Sequence, residues 1–99
     1  MRRGTTPLHT FHTDTDLTDA TVLYLTYKQA GKTVVEKSKD DLTIREDAVE
    51  VKLSQADTLS FILGAKVRIQ IRAGFADGSR IASNIIETTA DEVLKDGEI

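Results

Sequence analysis

The stretch Lys66-Val67-Arg68-Ile69-Gln70-Ile71-Arg72-Ala73 alternates polar and apolar residues without a break. A strand turns successive side chains to opposite faces, so Val67, Ile69, Ile71 and Ala73 form one face and Arg68, Gln70 and Arg72 the other. This is a half-buried strand, with one face in a core and one in water.

The residues that follow set its pairing. A two-residue Asp77-Gly78 turn would oppose Ile71 to Asn84 and Gln70 to Ile85, mixing polar and apolar on each face. A three-residue loop, Ala76-Asp77-Gly78 with Gly78 left-handed, shifts the register by one. Ala73 then meets Ile81, Ile71 meets Ser83 and Ile69 meets Ile85 inside, while Gln70 meets Asn84 outside. That register buries more, and it leaves Ile86 beside Arg68 in the outward row.

Upstream, Ser54 is placed to cap one short helical turn near 54–60, with Leu59 and Phe61 packing beneath it. Val49, Val51 and Leu53 alternate with Glu50 and Lys52, Leu42 to Arg45 is a short strand, and Lys39-Asp40-Asp41 is a turn. Ala20 to Tyr27 is rich in β-formers and apolar on both faces; Val22 and Tyr24 are assigned to its inner side. Ala30-Gly31-Lys32 closes a hairpin into Thr33 to Lys37, and Leu8 to Thr13 opens the sheet structure after a loose arm at 1–6. About seven short strands with one helical turn predict an all-β, single-domain antiparallel sandwich or barrel over residues 1–99. The expected core is Val22, Tyr24, Val49, Val51, Leu53, Phe61, Val67, Ile69 and Ile71.

Composition narrows the function classes. Ninety-nine residues make one core. The chain has no cysteine, which removes disulfides, thiolate metal sites and cysteine nucleophiles together. Met1-Arg2-Arg3-Gly4 starts like a signal peptide but no apolar stretch follows, so no export signal is expected. No segment has the ~20 apolar residues of a membrane-spanning helix. A net charge of −3, with interspersed signs, argues against nucleic acid as a partner. Acids concentrate at Asp40-Asp41 and in the tail 90–99, at Asp91, Glu92, Asp96 and Glu98, where Val93, Leu94 and Ile99 lie among them.

Candidate chemistry is sparse. His9, His12, Asp14 and Asp16 fall within one short segment, and an extended chain puts the last three on one face. A solvent-facing edge strand entering a turn explains them as well, and no metal is assigned. The run from Asp14 to Leu25 lacks the sixth-position glycine of a calcium loop and has Leu25 where its glutamate should be. No nucleophile elbow, triad or phosphate loop is present, so no catalytic residue and no cofactor is assigned. Arg68, Gln70 and Arg72 form an outward row that can receive an acidic partner or a glycan, or can simply be solvated. With Ile86, Val93 and Leu94 they make up the candidate interaction surface.

Three segments carry a resemblance: LTDATVLYLTYKQAGKTVVEKSKDDLTI (Leu17 to Ile44), VKLSQADTLSF (Val51 to Phe61) and VRIQIRAGFADGSRIASNII (Val67 to Ile86). They resemble small proteins of phages and prophages of Gram-positive gut bacteria, found among virion structural genes. The order of a strand, a Tyr-x-Gln-x-Gly hairpin, an alternating strand, a short turn and a hairpin closing on Asp-Gly is similar to the immunoglobulin-like N-terminal domain of phage baseplate upper proteins. The resemblance implies an immunoglobulin-like sandwich and a non-enzymatic virion protein, made in the bacterial cytoplasm. It implies association with itself or with another phage structural protein, and it carries over no functional residue. A module recognising a host surface glycan or protein is the alternative.

Overall fold

A computed structural model describes residues 1–95 and 97–99; Asp96 of the acidic tail lies outside the described residues. Among these residues the chain forms eight strands, β1 (Leu8–His12), β2 (Val22–Gln29), β3 (Lys32–Ser38), β4 (Thr43–Ile44), β5 (Ala48–Lys52), β6 (Lys66–Gly74), β7 (Arg80–Ala82) and β8 (Ile86–Thr89). A 3-10 turn at Lys39–Asp41 and one helix, α1 (Gln55–Leu59), join them. The strands make two antiparallel sheets, one ordered β1-β5-β4 and the other β3-β2-β6-β7, with β8 also pairing β6. In immunoglobulin lettering these are B-E-D and C′-C-F-G, with G broken into β7 and β8. The chain is an all-β antiparallel sandwich.

β6 carries the clean alternation of its sequence into the structure: Val67, Ile69, Ile71 and Ala73 are buried, while Arg68 and Arg72 are exposed. This polarity decides the orientation of its ambiguous neighbour. Residues directly opposite in an antiparallel pair share a face, and the β2–β6 register sets Leu23 against Ala73, Leu25 against Ile71 and Tyr27 against Ile69. Leu23, Leu25 and Tyr27 are therefore inside, and Val22 and Tyr24, expected in the core, are 36% and 44% exposed. The remaining expected core residues are buried, joined by Phe11, Leu17 and Val35.

The loop after β6 has the expected form. Phe75 N donates to Ser79 O, Gly78 N donates to Phe75 O, and Gly78 has φ +90°. Ala73 faces Ile81, and Ser83 N donates to Ile71 O, as the three-residue loop requires. Beyond Ser83 the register slips by one. Ser83 Oγ accepts from Ile71 N at 3.0 Å and donates to Asn84 O at 2.9 Å, standing in for a main-chain ladder bond. Ile69 then pairs with Ile86 instead of Ile85. The last strand is thus two strands separated by a bulged segment, and the expected count of seven becomes eight.

The single helical turn lies where Ser54 predicts it. Ser54 Oγ accepts from Asp57 N, and the Asp57 carboxylate accepts from Ser54 N at 2.9 Å, forming a capping box. Burial pushes Asp57 up, but the bonds from Ser54 and from Lys37 outweigh it and hold the carboxyl below its ordinary value. Five residues cannot hold a helix by themselves. Tertiary contacts do so, with Thr58 fully buried and its hydroxyl donating to Thr5 O at 2.8 Å.

The N-terminal arm is tied down. Asp91 N donates to Met1 O and Arg3 N to Asp91 O, which sets Arg2 parallel to Asp91 just past β8. The Met1 ammonium donates to Thr89 O at 2.9 Å and pairs with the Asp91 carboxylate at 3.1 Å. Main-chain pairing across the chain's two ends holds this segment, and its own sequence shows no period.

Candidate functional site

The Tyr-x-Gln-x-Gly hairpin, Tyr27 to Gly31, is structural at each of its positions. Tyr27 Oη lies 2.7 Å from His9 Nδ1, linking β2 to β1 across the two sheets. Burial, which dominates, and the N-terminal ammonium hold the His9 imidazole below its ordinary pKa. Gln29 is buried, and its Nε2 donates to Ile62 O at 2.9 Å and Ala65 O at 3.1 Å while its Oε1 accepts from Ile62 N at 2.6 Å. Gly31 and Ala30 both have positive φ, +76° and +49°, as the central pair of a two-residue hairpin turn.

These placements dissolve the metal candidate. His9 turns inward to Tyr27, whereas His12, Asp14 and Asp16 are exposed, and the Asp16 carboxylate accepts from Thr18 N and Oγ1. Hydrogen bonds from Thr18 hold that carboxyl below its ordinary value. Among the described residues no three His, Cys, Asp or Glu side chains come together as metal ligands. The helix present is not long and apolar enough to cross a membrane.

Two surfaces remain. The first is a groove of about 510 Å³ between the sheets, lined by Phe11, Leu17, Ile71, Ile81, Ile86 and the polar rim from His12 to Thr15. Two unpaired strand edges flank it. Leu53 N donates to Pro7 O and Thr13 N to Asp47 O, so His9 and Phe11 pair with β5. Leu8, Thr10 and His12 then turn their main-chain groups to the open side. By the same alternation Arg80 and Ala82 of β7 face away from β6. Ile86, expected beside Arg68 on the outer face, lies instead opposite Ile69 in this groove, 44% exposed, because of the slip at Ser83.

The second surface is the outer face of the five-stranded sheet. Register sets Tyr24 beside Arg72, Thr26 beside Gln70 and Lys28 beside Arg68. A shallow trough of about 490 Å³ runs over these residues, with Ile85 on its rim. Ile85, 46% exposed, is the apolar residue that interrupts the outward polar row, a position that sequence pairing gave to Ile86. Arg68 lies 3.9 Å from the Glu87 carboxylate, and Gln70 Nε2 donates to Ser83 O at 3.0 Å. Arg72 and Lys28 have no hydrogen-bond or ion-pair partner among the described residues.

Val93 and Leu94, the other candidate contacts, lie apart from both surfaces, beyond the end of β8. The main chain there folds back: Ile99 N donates to Gln55 Oε1 at 3.0 Å, and Arg2 donates to Glu92 O at 2.6 Å. Val93 is half-buried, whereas Leu94 and Ile99 are 97% and 91% exposed. Alternation in the sequence located Arg68, Gln70 and Arg72; it missed Tyr24, Lys28 and Ile85, which reach the trough through the β2 orientation and the β7–β8 slip.

No family model matches the chain, and no curated protein or solved structure matches it.

Proposed function

We propose that this domain is a non-enzymatic association module, a structural or adaptor protein of a phage or prophage particle of the tail or baseplate type. The observation that carries the association reading is the groove between the sheets, with an apolar floor and a polar rim, flanked by the unpaired edges of β1 and β7. Free main-chain donors and acceptors beside buried-type side chains form a template for another chain. The sequence resemblance to phage structural proteins supplies the setting. On this reading the protein is made in the bacterial cytoplasm and incorporated into the virion, and it needs no cofactor, nucleic acid or membrane. Mass spectrometry of purified particles tests it. The expected result is recovery of the chain at a fixed ratio to the other virion proteins, and absence from purified particles refutes it.

A second reading has its own observation. Tyr24 stands exposed in the outer trough beside Arg72 and Gln70, an amphipathic ring with cationic and amide neighbours of the kind that recognises a host glycan or surface protein. Saturable binding to host cell walls, lost in Tyr24→Ala, is the expected result of that reading.

A further inference from the structure

The charge of the molecule is unevenly placed. The chain carries −3 overall, yet on the outer face of the five-stranded sheet Lys28, Lys66, Arg68, Arg72 and Arg80 outnumber Glu36 and Glu87. Within this cationic field Tyr24 and Ile85 are exposed apolar surface, and Lys28 and Arg72 lack partners among the described residues. The opposite composition lies past the end of β8, where Glu92 and Glu98 flank Leu94, with Lys95 the one cation between them, and Ile99 follows Glu98; Leu94 and Ile99 are the two most exposed large apolar side chains among the described residues. Each surface supplies what the other lacks: cations around a half-exposed apolar pair, and carboxylates around a wet one.

We propose that the cationic trough of one copy receives the segment Glu92–Ile99 of a second copy of this chain. The inference rests on the association reading above and adds to the groove a second contact, made by the outer face of the five-stranded sheet. Within one chain the tail does not lie beside Arg72. Its tail is anchored to Gln55 and Arg2 at the end of the sandwich where β6 begins, and Arg72 lies six residues farther along β6, about 20 Å away. The contact joins two different patches, so it is heterologous, and a pair of copies retains one free trough and one free tail between them. Such a contact propagates into a ring or an open chain of copies. Apolar burial holds the contact, while the charges set its orientation and make it salt-sensitive.

Sedimentation equilibrium of the full chain, from about 10 μM to about 1 mM, reads this directly. The expected result is a mass that grows with concentration past the dimer, with apparent affinity falling about tenfold or more between about 50 mM and about 500 mM salt. Arg72→Glu disables the trough and leaves the tail intact; Leu94→Asp disables the tail and leaves the trough intact. Both sites are exposed, so both variants should keep the parent's far-UV circular dichroism. Each alone is expected to be a monomer, and an equimolar mixture is expected to form a heterodimer that grows no further, because only one competent interface remains. Parent-like association of either single variant overturns the trough–tail contact while leaving association itself standing, as does a mixture that stays monomeric. A parent that is monomeric throughout also overturns this inference, and the particle measurement above then decides the broader reading separately.

Discussion

Gln29 is the residue whose perturbation most directly tests the structure. Its carboxamide makes three hydrogen bonds to the main chain of the loop between α1 and β6, two to carbonyl oxygens and one from the Ile62 amide. Gln29→Ala removes all three and opens a cavity under the loop. At about 1 kcal/mol net per bond the loss is about 3 kcal/mol, a large share of the 5–15 kcal/mol typical of a domain. Urea denaturation followed by circular dichroism should show the midpoint falling by about 1–3 M with little change in slope. Gln29→Glu refines the test. It keeps the acceptor for Ile62 N but aims a carboxylate at two carbonyls, so burial and repulsion raise its folded pKa above the unfolded ~4.3. A raised folded pKa means stability is fullest below the unfolded value and is lost as pH rises through the folded one. The Gln29→Glu variant should therefore stand closest to the parent near pH 4 and fall away from it toward pH 7. A Gln29→Ala loss under about 1 kcal/mol, or a Gln29→Glu deficit that does not change with pH, refutes the clamp.

Three further outcomes are expected. Ala30 holds a left-handed backbone, φ +49°, which costs an L-residue with a Cβ about 1–2 kcal/mol; Ala30→Gly or Ala30→Asn should raise the thermal midpoint, and a lower midpoint in both contradicts the turn assignment. Ile69→Ala, in the middle of the buried row of β6, should cost about 2–5 kcal/mol by leaving a cavity, whereas Val22→Ala on the outer face should cost under about 1.5 kcal/mol; equal losses in urea titrations would reverse the β2 orientation. His9 has a folded pKa depressed below 6.5 by burial and then by the N-terminal ammonium. The unfolded chain therefore binds the proton first, and the stabilisation present above pH 6.5 is lost as pH falls through the folded pKa. His9→Gln should flatten that part of the stability-versus-pH curve.

Legibility in the sequence followed the range of the interactions. The eight-residue alternation at Lys66 to Ala73 determined by itself that β6 is half-buried and which of its faces is inside. Asp77-Gly78 marked the turn, because a left-handed position and a side-chain acceptor are local chemistry, and the alternation on either side of it chose the three-residue loop: the Asp77 carboxylate accepts from Ser79 N at 2.8 Å. Ser54 and Asp57 determined a helical turn for the same reason. Enough such local signals, each compatible with short antiparallel strands, settled the all-β class.

What only the tertiary structure decided depends on partners distant in the chain. β2 is apolar on both faces, so its orientation is set by β6 through the pairing of Leu25 with Ile71. The break between β7 and β8 depends on Ser83 replacing a ladder bond to Ile71, which moves Ile86 into the groove and Ile85 to the outer face. Gln29 and His9 resemble surface polar residues in a one-dimensional reading. They are drawn inward because the Ile62–Ala65 loop and the Tyr27 hydroxyl need hydrogen-bond partners where water is excluded. Periodicity and propensity are properties of neighbouring residues, whereas desolvation and register are properties of the assembled sandwich, and the candidate surfaces are made by the latter.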